Sequence, residues 1–154
     1  MVIYIYTNGG GEGVLATDAL EKVGINLEET PDDVKGKLRQ VLPSIASLHN
    51  PIDVTAQANE DQYINGIDIL LNDHRTEGIV CILLPQLPTY TEKFPEKLIK
   101  IINKRIPIVF VVYGGGFSER IKMYLEKYVP VFESPEDAVK ALKFLIEVKK
   151  RFNL

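Results

Sequence analysis

The chain has 154 residues, 45% of them hydrophobic and 25% charged, with a formal net charge of −3, which suits one soluble domain over residues 1–154 with one continuous core. No apolar run is long enough to span a membrane, and no secretory leader is expected at the N-terminus. A single cysteine, Cys81, and two histidines, His49 and His74, exclude a disulfide framework and a multi-cysteine zinc site, so the expected setting is cytoplasmic, with no metal.

Short apolar runs rich in β-branched residues alternate with helix-period segments, the pattern of a parallel sheet covered on both faces. Residues 2–6 read as the first strand. A helix over 11–23 follows, with Val14, Leu15, Ala19, Leu20 and Val23 as its apolar stripe and Gly24 as its stop. Residues 25–27 read as a short edge strand, and Thr30, Pro31 and Asp33 as the cap and first turn of a helix to about Val41. Periodicity lapses over 42–58, a connection long enough to be a functional candidate.

Asn59 caps a helix to about Asn72, and residues 79–84 form a central strand. A loop with Pro85 and Pro88 leads to a helix from about Glu92 or Pro95 to Lys104, and residues 108–113 form the next central strand. A helix over 118–128 places Ile121, Tyr124, Leu125 and Tyr128 on one face. Residues 131–132 are the last strand, and Ser134 opens the closing helix. The expected fold class is α/β: a three-layer, flavodoxin-like arrangement with a five-stranded parallel sheet of order 2-1-3-4-5 and helices on both faces.

Residues 1–77 carry a net charge of −8 and residues 78–154 a net +5. The lysines of the second half, among them Lys93, Lys97, Lys100, Lys104, Lys140, Lys143, Lys149 and Lys150, are spaced for the wet faces of helices. They come with no aromatic platform, so no nucleic-acid partner is expected.

Ligands of open α/β sheets collect beyond the carboxyl ends of the strands, where two glycine clusters fall: Thr7-Asn8-Gly9-Gly10-Gly11-Glu12-Gly13 and Gly114-Gly115-Gly116. Backbone N–H groups at such turns can converge on an anion at the positive end of a helix, with phosphate the natural candidate. The alternative is that the glycines serve only tight turns and close helix packing. A Walker A loop fails because Val14 and Leu15 stand where Lys and Ser or Thr are needed. Gly9, Gly11 and Gly13 give G-x-G-x-G rather than the dinucleotide fingerprint. Cys81, among Val80, Ile82 and Leu83, reads as a buried thiol, and the acid pairs at 28–29, 32–33 and 60–61 as helix-start or strand-end residues.

The stretch from Thr7 to Asp18 resembles the T-N-x-G-G-x-G-V-L-A-x-D opening of a flavodoxin-like domain in the alpha part of ADP-forming acyl-CoA synthetases, relatives of succinyl-CoA synthetase. Asn50-Pro51-Ile52-Asp53-Val54-Thr55 is similar to that domain's N-P-x-D-V-T segment, and Pro107-Ile108 running into Gly114-Gly115 to its K-P-V strand and glycine turn. The resemblance implies a domain or subunit of such a system that helps receive a phosphorylated histidine at the start of its Gly-rich helix. It implies Asn8, Gly9, Gly10, Gly11 and Gly13 as the phosphate-binding residues, with Asn50, Asp53, Thr55, Gly114, Gly115 and Gly116 in neighbouring loops. The implied partners are CoA-binding and ATP-grasp subunits, and no tightly bound cofactor is expected beyond phosphate or a partner's phosphohistidine.

Neither His49 nor His74 has the S-H-T-G context of the family's phosphorylated histidine, and Glu12 stands where the family often has proline. No catalytic residue is therefore assigned, and the chain alone is not expected to catalyse the ligation. Two alternatives stay open, a nucleotide- or cofactor-binding module and a non-catalytic interaction domain, and the sequence leaves self-association open too.

Overall fold

The strands alternate apolar side chains between two faces, and each face recruits its own helices. The computed structural model describes residues 1–86, 88–102 and 105–154. In chain order its elements are β1 Val2–Thr7, α1 Gly10–Lys22, α2 Asp32–Val41, β2 Ile52–Asp53, α3 Glu60–Leu71, β3 Thr76–Leu83, α4 Phe94–Ile101, β4 Ile108–Val112, α5 Gly116–Leu125, β5 Val131–Phe132 and α6 Pro135–Phe152. The strands pair in parallel in the order β2-β1-β3-β4-β5, with registers such as Tyr4 opposite Ile79 and Cys81 opposite Phe110. Tyr4, Tyr6, Cys81 and Phe110 face one core with residues of α2 to α5, while Ile5, Val80, Ile82 and Val111 face the other with α1 and α6. Each fully buried aliphatic side chain contributes about 1.5–3 kcal/mol. Two-sided burial is what holds the strand ends, and therefore the loops above them, in place.

The edge strand differs from the expectation. Residues 25–27 are not a strand; the second strand of the sheet is Ile52–Asp53, which pairs with Tyr6 and Thr7. The reason lies in Asn50. Its Nδ2 donates to the carbonyls of Ile3 (2.8 Å) and Glu28 (2.9 Å), and its Oδ1 accepts from the N–H of Ile5 (3.1 Å). One side-chain amide thus satisfies the edge of β1 that a strand at 25–27 would have paired. Gly24, at φ +81°, ends α1 as expected, with the Ile25 N–H donating to the Leu20 carbonyl.

The α1 stripe also differs. Val14 and Leu15 are 59% and 53% exposed, and the buried face is Gly13, Ala16, Ala19 and Leu20. A Cβ at Gly13 would lie 3.1 Å from Thr7 Cγ2, so α1 sits close on the sheet and turns its small residues inward. Thr30 does not cap α2 with its side chain; Oγ1 is buried with no partner among the described residues. Of the apolar face expected on α5 only Ile121 and Leu125 are buried, and Tyr124 packs on the exposed Tyr128 with ring centroids 5.5 Å apart. The expected end of α4 at Lys104 lies outside the described residues.

The Asn59 cap is present as a capping box with Gln62, and Ser134 Oγ accepts from the Asp137 N–H. Several of the basic residues meet acids as expected of wet helix faces: Lys100 with Glu96, Lys140 with Glu136, and Lys150 with Glu77. Among the described residues no helix is long and apolar enough to cross a membrane.

Glu60, at the first turn of α3, ties the loop before α4 to that helix. Burial opposes its ionisation, yet the Thr91 amide (2.9 Å) and the Lys97 ammonium (2.9 Å) outweigh it and hold the carboxyl below the ordinary glutamate value. A depressed folded value means that this stabilisation is present above the unfolded pKa and is lost as pH falls through the folded one. Glu60→Gln is therefore expected to flatten the acid limb of an unfolding-versus-pH curve, with its largest cost near neutrality, about 1–2 kcal/mol. A variant whose acid limb matched the parent's would refute this role.

Candidate functional site at the carboxyl ends of the strands

The β1 to α1 turn is built by hydrogen bonds that leave a helix end open. Thr7 Oγ1 accepts from the Gly9 N–H and donates to the Gly9 carbonyl, both at 2.9 Å, pinning the turn. The Asn8 side chain, 5% exposed, lies beneath it: Oδ1 accepts from the Leu84 N–H (2.8 Å) and Nδ2 donates to the Leu84 carbonyl (3.1 Å). Asn8 therefore couples the end of β1 to the end of β3, with its amide facing Leu84.

Three of the glycines here answer to close approach. A Cβ at Gly9 would lie 2.2 Å from Leu84 Cδ1, one at Gly10 2.7 Å from Asp53 Oδ2, and Gly13 meets Thr7 as described. Gly11 is different, because a Cβ there would meet nothing within 4 Å and the residue is exposed. The N–H groups of Gly10 and Gly11 have no acceptor among the described residues, whereas those of Glu12 and Gly13 donate to the Gly9 carbonyl. Two unpaired donors thus stand at the positive end of a 13-residue helix.

The 50–55 segment meets this turn through Asp53. Its Oδ1 accepts from the Thr55 N–H (2.8 Å), while Oδ2 is the atom beside Gly10. Thr55 adopts φ +68°, a left-handed conformation costing a β-branched residue roughly 1–3 kcal/mol, and the Asp53 bond helps hold it. The structure brings Asp53 to the α1 head and Thr55 next to Asp53. Asn50 is level with Ile3 and Ile5 on β1 and serves the sheet edge.

The Glu12 carboxylate lies close to the Tyr113 hydroxyl. Burial and this neighbouring carboxylate push the Tyr113 phenol up to about 12, and Glu12 Oε2 is buried with no hydrogen-bond partner among the described residues. Tyr113 follows β4 and leads into Gly114, at φ +126°, then Gly115 and Gly116 at the start of α5. The head of α1 and the second glycine turn are therefore neighbours, linked by Leu84 on one side and by Glu12 and Tyr113 on the other. Leu84, Tyr113 and Ser118 were not expected as site residues; the only signal for Tyr113 was its place at the carboxyl end of the central strand expected at 108–113.

The remaining candidates have local explanations. His49 Nδ1 lies 3.1 Å from Glu29 Oε1 on the surface, and His74 lies beside Asp73 in the turn before β3, at the opposite end of the sheet. Cys81 is fully buried, and burial pushes its thiol well above the ordinary value.

A five-stranded parallel sheet with helices on both faces and an open Gly-rich turn defines the class, and comparison with known proteins supplies the family. The chain belongs to the family described as Ligase-CoA domain, which matches residues 2–112. It is 31% identical to the alpha subunit of ADP-forming acetate–CoA ligase II of Pyrococcus furiosus, covering 96% of this chain and 34% of that one. It is 33% identical to an ADP-forming acetate–CoA ligase of Methanocaldococcus jannaschii, covering 93% of this chain and 21% of the relative. A solved structure from Pyrococcus horikoshii OT3 superposes with a TM-score of 0.87 at 31% identity, covering 99% of this chain and 37% of the other. The dinucleotide-forming acetyl-coenzyme A synthetase 1 of Ca. Korarchaeum cryptofilum, solved with phosphate and ADP, superposes with a TM-score of 0.85 at 26% identity, covering 97% and 33%. The chain spans about a third of the two relatives named as alpha subunits.

Proposed function

We propose that this chain works as a domain or subunit of an ADP-forming acyl-CoA synthetase, and that the head of α1 receives a phosphoryl group there, as inorganic phosphate or as a partner's phosphohistidine. The partners would be CoA-binding and ATP-grasp subunits; alone, the chain would not complete the ligation. The observation that carries this reading is Gly11, an exposed glycine with no steric neighbour and an unpaired N–H beside that of Gly10. Val14 and Leu15, exposed one turn further on, give a protein partner an apolar surface beside the same helix end.

Phosphate titrated into the ¹⁵N-labelled chain is expected to move the Gly10 and Gly11 amides first and saturably. Gly11→Ala should keep the fold, with a gain of about 0.5–1 kcal/mol in stability, because Ala suits a helix better and meets no neighbour. The added methyl stands at the approach to the donors, so phosphate binding should weaken about tenfold if one charge-assisted bond is lost. Unmoved amides in the parent chain at millimolar phosphate would sink the assignment.

One observation favours a second reading, an interaction domain that binds no anion: the Asp53 and Glu12 carboxylates flank the α1 head. Under that reading neither parent nor Glu12→Gln responds to phosphate. Under the first, Glu12→Gln binds phosphate more tightly.

A further inference from the structure

We infer that a groove between α6 and the amino ends of β4 and β5 docks an acidic amphipathic helix of another polypeptide. The groove encloses about 310 Å³. Ile102, Ile106, Tyr128, Pro130, Leu145 and Val148 form its apolar walls, and the charged side chains that line it, Arg105 and Lys149, are both basic. It lies at the opposite end of the sheet from the head of α1, so the inference is independent of the phosphoryl reading.

The first observation is a second apolar face on α6. Ala138, Val139, Leu142 and Ile146 are buried against the sheet. Ala141, Leu145, Val148 and Phe152 recur at helical spacing on the flank turned to the groove, and Phe144 adjoins Val148 there. Phe144 and Phe152 are 64% and 63% exposed, and Tyr128 across the groove 55%. A helix with one apolar stripe needs one partner surface; α6 carries two stripes, and the described residues cover one.

The second observation is charge, which selects the occupant. Lys127, next to Tyr128 in the chain, lies over the Tyr124 ring (5.8 Å), Arg151 lies over the Phe152 ring (5.8 Å), and Lys149 Nζ donates to the Arg105 carbonyl. None of these three cations has a carboxylate partner among the described residues. A second copy seated by the same face would set the cations against their own likes. A lipid surface meets convex faces, whereas side chains on one stripe of a helix reach into a concave groove. A helix with apolar residues at i, i+3, i+4 and i+7 and glutamates beside them fits both the walls and the rim.

The test titrates the ¹⁵N-labelled 154-residue chain with a synthetic helical peptide carrying leucines at i, i+3, i+4 and i+7 and glutamates between them. Parallel titrations use the same peptide with lysine for glutamate, and vesicles of phosphatidylcholine and phosphatidylglycerol. The expected result is saturable movement of the Tyr128, Leu145 and Val148 amides by the acidic peptide alone, with Gly10 and Gly11 at rest. Tyr128→Ala, and separately Lys127→Glu with Arg151→Glu, change exposed positions. Checked for an unchanged melting temperature, each should weaken the acidic peptide about tenfold. Groove amides at rest, equal binding of the lysine peptide, tighter binding of the vesicles, or unchanged affinity in both variants would each overturn the docking site. Movement of the same amides with protein concentration alone would overturn it in favour of a second copy.

Discussion

Replacing Asn50 by aspartate should lower the unfolding free energy by about 3 kcal/mol near neutral pH, read by chemical denaturation with an unchanged m-value. The carboxylate can still accept from the Ile5 N–H, but it cannot donate to the carbonyls of Ile3 and Glu28, which Nδ2 now meets at 2.8 and 2.9 Å. Two acceptors would then face a negative charge rather than a donor, and each lost bond contributes roughly 1–1.5 kcal/mol. The pH dependence supplies a signature. Carbonyl neighbours disfavour the charged form, so the new carboxyl has a folded pKa above its unfolded value near 3.9. The destabilisation is full above the raised value and fades as pH falls through it, because the introduced carboxyl, once protonated, can donate one bond again. A loss of under about 1 kcal/mol, or one that stayed constant down to pH 4, would show that the sheet edge does not depend on this amide.

The same residue explains much of what was and was not legible in the sequence. The strands at 2–6, 79–84 and 108–113 declared themselves because burial on both faces demands continuous β-branched runs, and the caps at Asn59 and Ser134 because helix ends need specific side-chain acceptors. The order 2-1-3-4-5 followed from these, yet the identity of its edge strand did not. Residues 25–27 had the composition of a strand, but a side-chain amide 22 or more positions further along occupies the edge of β1 beside them, and no local pattern announces a contact of that range. The inward face of α1 was misjudged for a related reason. Hydrophobicity pointed to Val14 and Leu15, whereas the distance of closest approach, set by Gly13 against Thr7, selected Gly13, Ala16 and Ala19.

The candidate site was legible as two glycine turns, because glycine marks places where backbone comes close to something. What each comes close to was not. Gly9 and Gly10 answer to Leu84 and Asp53, so only Gly11 keeps the open space that ligand binding requires. Asn8 and Asn50, both implied by the resemblance as lining residues, have their side-chain amides fully engaged with backbone groups of the sheet and the segments bordering it. Their contribution is to hold the strand ends at the correct height beneath the loops, which makes the site's geometry a property of the sheet.

That dependence gives the second large effect. Gly66→Ala, in the middle of α3, should cost about 3 kcal/mol although alanine is the better helix former. Its Cβ would lie 2.0 Å from Tyr6 Oη and 2.7 Å from Cζ, and Tyr6 is fully buried with its hydroxyl donating to the Tyr63 carbonyl (3.0 Å). The ring cannot swing away, since Tyr63 packs on it edge-to-face at 5.0 Å and Tyr63 in turn meets Tyr90 and Phe94 at 6.1 Å. Tyr6→Phe alone should cost about 1 kcal/mol by leaving the Tyr63 carbonyl with one partner fewer. In the double variant the hydroxyl clash is gone but the ring contact remains, so the cost should fall short of the sum by about 1 kcal/mol. Displacement has a route to the site: Tyr90 Oη lies 3.4 Å from Asn8 Nδ2, and Asn8 holds Leu84. Gly66→Ala should therefore shift the Asn8 and Leu84 amide resonances in the folded state, and Gly66→Ala with Tyr6→Phe should return them part of the way. Unshifted resonances with a full stability loss would mean that the aromatic cluster supports the core without setting the height of the loops above it.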